Sequence, residues 1–172
     1  MQTCRARSLV HERHVDVTRP RRAGEVGQGN MTIAKMSVAE LEEFLRVEFP
    51  QSFGSGDTTI ESADGSTCLL RQRFSERMLR PGGTVSGPTL MALADCAMYV
   101  VLLSAIGPVG LAVTTNLNIN FLRKGQAGQD ILAEARILKL GKRLAVGDVN
   151  LRSGMAPDPI AHVTATYSIP NA

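Results

Sequence analysis

Apolar and polar positions follow two rhythms along the chain, and the change from one to the other divides it into elements. In "MSVAELEEFLRVEFPQSF", apolar Leu41, Phe44 and Leu45 recur at helical spacing behind Ser37, and Glu40 sits where a capping box needs it. The pattern predicts a short amphipathic helix that stops at Pro50. From Thr58 the rhythm becomes strand-like: "TTIES" and "TCLLRQRFS" flank "ADGS", where Asp64-Gly65 suits a hairpin turn. A glycine-rich link leads to the longest apolar run, Thr89 to Ala105, which lacks Pro and Gly and is rich in Leu, Met and Ala. That run is helix-length rather than strand-length, with Pro88 in its first turn and Gly107-Pro108 at its stop. Because it is apolar on nearly every side, other structure must wrap it.

The remainder reads as strands. "LAVTTNLNINFL" alternates, placing Val113, Thr115, Leu117, Ile119 and Phe121 on one face and Thr114, Asn116, Asn118 and Asn120 on the other. "DILAEARILKL" and "RLAVGDVNLRS" form a second hairpin around Gly141-Lys142, and "IAHVTATYSI" is the last strand. Helix, two strands, long helix and four strands make an α+β layout, an antiparallel sheet wrapped around one central helix. The long helix is read as buried: it is short for a membrane span, and its single acid is costly in lipid.

Charge changes the picture only at the N-terminus. Residues 1–30 carry six Arg against three acids, whereas the rest balances 13 basic residues against 13 acidic. The folded body is therefore expected to be neutral, which argues against a nucleic-acid surface. The tail reads as a disordered or non-native extension, with Met31 as an alternative start, ahead of one domain over residues 31–172. Cys4, Cys68 and Cys96 are odd in number and form no CxxC, so no disulfide framework or zinc site is expected, and a reducing cytoplasm is the inferred setting. His11 and His14 fall in the tail, and His162 has no cluster of ligating residues around it in the sequence.

Candidate chemistry centres on Asp95. Between Arg80 and Arg123 it is the one charged residue, although 20% of the chain is charged. A structural acid is the bland explanation. Against it stands "PGGTVSGP" at the mouth of the same helix, where Gly82, Gly83 and Gly87 permit tight backbone and the helix start offers N–H groups to an oxyanion. Asp95 is eight residues beyond Gly87, about 12 Å along the axis, too far for one subunit to bring both groups onto one atom easily.

"SGPTLMALADCAMYV", "LAVTTNLNINFLRKG" and "LGKR" together resemble the phenylacetate-pathway (PaaI-like) acyl-CoA thioesterases of the hotdog superfamily, over about Thr58 to Ile169. The resemblance implies a hotdog fold, a homo-oligomer of two or four subunits with the site across a subunit interface, and hydrolysis of an acyl-CoA thioester. It makes Asp95 the nucleophile or general base, Gly87 the oxyanion donor and Thr114 the residue that positions water. Coenzyme A enters only as part of the substrate. Ser86-Gly87-Pro88 stands at the family's His-Gly-Gly, and Arg80 at its upstream Asn. Those departures keep a non-catalytic acyl-CoA-binding protein open as the alternative. Arg123, Lys124, Lys142 and Arg143 fall near the family's phosphate-binding region, although ordinary solvated turns also account for them. Cys96 is expected to be a core thiol.

Overall fold

The computed structural model describes residues 33–171. The N-terminal extension, with Cys4, His11 and His14, lies outside the described residues. Helix α1 (Val38–Glu48) opens as its sequence predicts: the Ser37 hydroxyl accepts from the Glu40 N–H, and the Glu40 carboxylate takes the Ser37 N–H at 2.8 Å. Its apolar stripe turns Leu41 and Leu45 into the core. Pro50 interrupts the helix without ending helical structure. The chain bends at Phe49 and restarts as α2 (Pro50–Phe53), because a first-turn Pro has no N–H to waste.

Strands β1 (Thr58–Ala63) and β2 (Thr67–Gln72) form the expected hairpin. Its turn is held by Asp64, whose carboxylate accepts from the Ser66 N–H at 2.8 Å and the Thr67 N–H at 2.6 Å. The glycine-rich link contains more structure than composition suggests, a miniature hairpin of β3 (Leu79–Arg80) and β4 (Thr84–Val85). Gly82 and Gly83, at φ +96° and +70°, turn it through conformations that side chains resist.

Helix α3 (Gly87–Ile106) has 20 residues, longer than the 17-residue run predicted, since Ser86 caps it from outside and Gly87 and Pro88 join its first turn. By length and hydropathy it is apolar enough to cross a membrane, yet 67% of its most apolar window is buried inside the protein. The burying surface is a six-stranded sheet in the order β1-β2-β6-β7-β8-β5, antiparallel at every pairing, completed by β5 (Val113–Phe121), β6 (Ile131–Leu140), β7 (Leu144–Ser153) and β8 (Ala161–Ser168). Met98, Val100, Val101, Leu102 and Leu103 are fully buried, and each contributes about 1.5–3 kcal/mol relative to exposure.

The expected alternation along β5 holds only in part. A bulge at Thr115 lets Thr114 oppose Tyr167 and Asn116 oppose Thr166, so one extra residue separates them. The extra residue puts Thr114 on the same inward face as Leu117 and Ile119 rather than beside the asparagines. β5 is also an edge strand of the sheet, so its outer edge has no strand partner among the described residues.

Helix and sheet pack closely where Gly147 of β7 meets Met98. A β-carbon at 147 would fall 2.4 Å from the Met98 sulfur and 2.7 Å from the Arg136 carbonyl oxygen. The backbone oxygen cannot retreat without opening the β6–β7 ladder. Gly147→Ala is therefore expected to cost about 1–3 kcal/mol, read as a lower thermal midpoint, and an unchanged midpoint counts against this packing.

Candidate active site

Asp95 sits two turns into α3, only partly buried, at the wall of a cavity of about 290 Å³ that is lined also by Phe49, Cys96, Tyr99, Ala112, Thr114 and Tyr167. The apolar surroundings expected for it are incomplete, because hydroxyls meet the carboxylate. Thr114 donates to Asp95 Oδ1 at 2.5 Å, and the Tyr167 hydroxyl approaches the same oxygen at 2.7 Å and the Asp95 carbonyl at 2.9 Å. Thr114 reaches Asp95 because of the β5 bulge, and Tyr167 because it faces inward from β8 as the cross-strand partner of Thr114. The Tyr167 ring stacks on Tyr99 with centroids 6.2 Å apart. Burial, reinforced by the bond to Asp95, raises the Tyr167 phenol well above its usual range, so it remains a donor at neutral pH.

At the start of α3 the cap decides which N–H groups are free. Ser86 is the N-cap: its hydroxyl accepts from the Thr89 N–H at 3.4 Å and shares a 2.8 Å bond with the Thr89 hydroxyl, while its carbonyl accepts from Leu90 at 3.3 Å. Pro88 has no N–H. The plural donors expected at the helix start thus reduce to one, the Gly87 N–H, at the positive end of the helix dipole. The absence of a side chain at Gly87 has a local reason, since a β-carbon there would stand 3.0 Å from the Phe121 ring.

Gly87 opens onto a second cavity, about 450 Å³, lined by Arg80, Leu90, Phe121, Leu122, Arg123 and Lys124. Arg123 is held loosely there, 3.3 Å from Asp158 and 3.1 Å from the Pro159 carbonyl, and both charged side chains are more than half exposed. Lys142 and Arg143 lie elsewhere, at the β6–β7 hairpin beside the C-terminal end of α3. Within one subunit the candidate residues therefore separate into two groups: Asp95 and Thr114 near the N-terminal end of β5, and Gly87, Arg80, Arg123 and Lys124 near its C-terminal end. His162 takes no part in either; it lies 3.7 Å from Asp148, which Arg136 holds with two bonds of 2.9 and 3.2 Å. Among the described residues no cluster of His, Cys, Asp or Glu is placed to hold a metal.

Sequence reasoning missed Tyr167. A signal was available, since it is one of two tyrosines in the chain and shares the inward face of its strand with Val163 and Ala165, a hydroxyl with no obvious partner on an apolar face.

With this geometry established, comparison with known proteins gives the family. A profile of the thioesterase superfamily matches residues 82–155. The crystal structure of a candidate thioesterase from Silicibacter sp. is 42% identical, with a TM-score of 0.75 over 83% of this chain and 97% of that one. The chain belongs to the thioesterase superfamily and has its hotdog fold. Human acyl-coenzyme A thioesterase 13 is 28% identical over 117 residues, covering 67% of this chain and 82% of the relative. Another curated relative is 30% identical, and the chain spans 64% of its length. The phenylacetic acid degradation protein PaaI of Thermus thermophilus shares the fold, with a TM-score of 0.62 at 22% identity over 70% of this chain and 99% of that one.

Cys96 borders the Asp95 cavity, and its environment argues for a packing role: burial raises its thiol pKa to about 11, and that of Cys68 to about 12. Both are protonated at pH 8 and poor nucleophiles. Iodoacetamide at that pH is expected to leave the Cys68 and Cys96 peptides unmodified until denaturant is added. Rapid labelling of native Cys96, mapped by mass spectrometry, would refute this.

Proposed function

We propose that the protein hydrolyses an acyl-CoA thioester to a free acid and coenzyme A, with Asp95 as general base. The observation that carries the proposal is the location of two complementary half-sites at opposite ends of one unpaired edge strand. Val113 to Phe121 spans about 27 Å at strand rise. If two copies of β5 pair antiparallel about a two-fold axis near Leu117, the Thr114 end of one meets the Phe121 end of the other. Asp95 of one subunit then faces Gly87 of its partner, which removes the 12 Å separation along a single helix. Exposed Val113, Phe121 and Leu122 gain cover in the same step.

The two cation groups converge as well. Leu144 and Val113 share a row of the sheet through Ser168, so Lys142 and Arg143 lie at the same sheet end as Thr114. In the paired arrangement they approach the partner's Arg123 and Lys124 end, giving a basic rim suited to the phosphates of coenzyme A. The acyl-CoA assignment also draws support from a relative named as an acyl-coenzyme A thioesterase.

In the reaction, Asp95 accepts a proton from water as the water oxygen attacks the thioester carbonyl carbon. Gly87 N–H stabilises the oxyanion that forms. Collapse of the tetrahedral species breaks the C–S bond, and the thiolate of coenzyme A departs with the bonding pair. Thiolates are good enough leaving groups that a strong acid on sulfur is dispensable. A non-catalytic acyl-CoA-binding protein is the competing reading, favoured by the single N–H donor that Pro88 leaves at the helix start.

Thiol release from short, medium, long and aryl acyl-CoAs tests this directly. Wild type is expected to turn over at least one class, and Asp95→Asn to lose roughly 100- to 10,000-fold in kcat. Tight binding of acyl-CoA by wild type without thiol release establishes the binding protein instead. Light scattering should give a dimer or a multiple of it, and Val113→Asp on the edge strand should yield monomers without turnover; a fully active monomer overturns the shared site.

A further inference from the structure

We propose that Tyr167 is a positioning residue whose hydroxyl, acting with that of Thr114, occupies Oδ1 of Asp95 and leaves Oδ2 as the oxygen offered to the reacting water. The inference rests on the reading of Asp95 as general base and adds to it which carboxylate oxygen acts and what fixes it.

The geometry is specific. Both hydroxyl bonds converge on Oδ1, at 2.5 and 2.7 Å, and Oδ2 receives none from the described residues. An Asp carboxylate on a helix rotates readily about its second torsion, which would tilt the carboxylate plane and swing the unbonded oxygen away from a fixed position. Two donors on one oxygen hold that torsion, and because they come from different strands they hold it from two directions. Tyr167 has one proton to give and two acceptors in reach; a carboxylate outcompetes the Asp95 carbonyl at 2.9 Å because the bond is charge-assisted.

Tyr167 is itself rigid. It is 3% exposed, its strand pairs with β7 on one side and β5 on the other, and its ring stacks on Tyr99. Placement of this kind, in which a supporting group is locked by packing, is what holds a reacting atom within a fraction of an ångström of a productive pose. The Thr115 bulge belongs to the same device. Without the extra residue Thr114 faces the other side of the sheet, and Tyr167 alone cannot hold the carboxylate against rotation.

Tyr167→Phe removes one oxygen and keeps the ring. The expected result is a fall in kcat of roughly 10- to 100-fold with KM changed less than about twofold, the signature of an interaction that matters in the transition state. Introduced on top of Asp95→Asn, the same change is expected to cost nothing further, because the group it positions is already disabled. A structural role predicts the opposite pattern, an equal loss in both backgrounds that follows thermal stability. Tyr167→Met removes the hydroxyl with a different shape and carries the same expectation, so poor folding of one variant leaves the other to decide. If Asp95→Asn is inactive while both Tyr167 variants keep wild-type kcat, the positioning role fails and the thioesterase reading stands. Wild-type rates in Asp95→Asn, or no turnover by wild type, overturn both.

Discussion

An apolar helix of 20 residues must be enclosed, and most of the architecture follows from that constraint. α3 has no polar face to give to water, so the sheet has to cover it along most of its length, and its exposed residues, Pro88, Met91 and Ala92, all lie near its N-terminus. Coverage demands close approach. Gly147 supplies it where β7 meets Met98, and the small residues Ala133, Ala135, Ala145, Ala161 and Ala165 line the same inner face. With large side chains placed on the helix and small ones on the sheet, the two surfaces can interlock closely.

Enclosure makes a charge on the helix expensive unless it is met by hydrogen-bond donors. Asp95 is met beside β5, one of the two edge strands of the sheet. There the donors are hydroxyls rather than cations, and among the described residues the carboxylate has no ion pair and one oxygen has no hydrogen-bond partner. Arg136 instead pairs with Asp148 on the outer sheet face, where the guanidinium is largely exposed to solvent.

The free edge connects structure to function. An uncovered strand of nine residues is a surface that proteins rarely leave open, because its unpaired N–H and carbonyl groups invite another strand. In this protein Asp95 lies near one end of the same edge and the Gly87 N–H near the other. The self-pairing proposed above would answer both problems at once, while the departures at Ser86 and Pro88 have a local meaning of their own: they cap the helix and leave its first N–H as a single donor.

Much of this was legible in the sequence, for definite reasons. The capping box at Ser37, the Asp64-Gly65 turn, the uninterrupted apolar run of α3 and the alternation of β6 to β8 are local patterns, set by hydrogen bonds and periodicities a few residues long, and they carry the α+β layout with them. Asp95 stood out because a lone charge in an apolar segment is visible without coordinates. What sequence pattern did not supply was contact between distant residues. Thr114 was assigned to the polar face of its strand because alternation is the default, and only the pairing of β5 with β8 reveals the bulge that turns it inward. Tyr167 is 72 residues from Asp95 and joins it through strand order alone. The sequence by itself determined the main elements and the unusual acid; tertiary structure decided which hydroxyls reach that acid, since such contacts depend on register and strand order rather than on local preference.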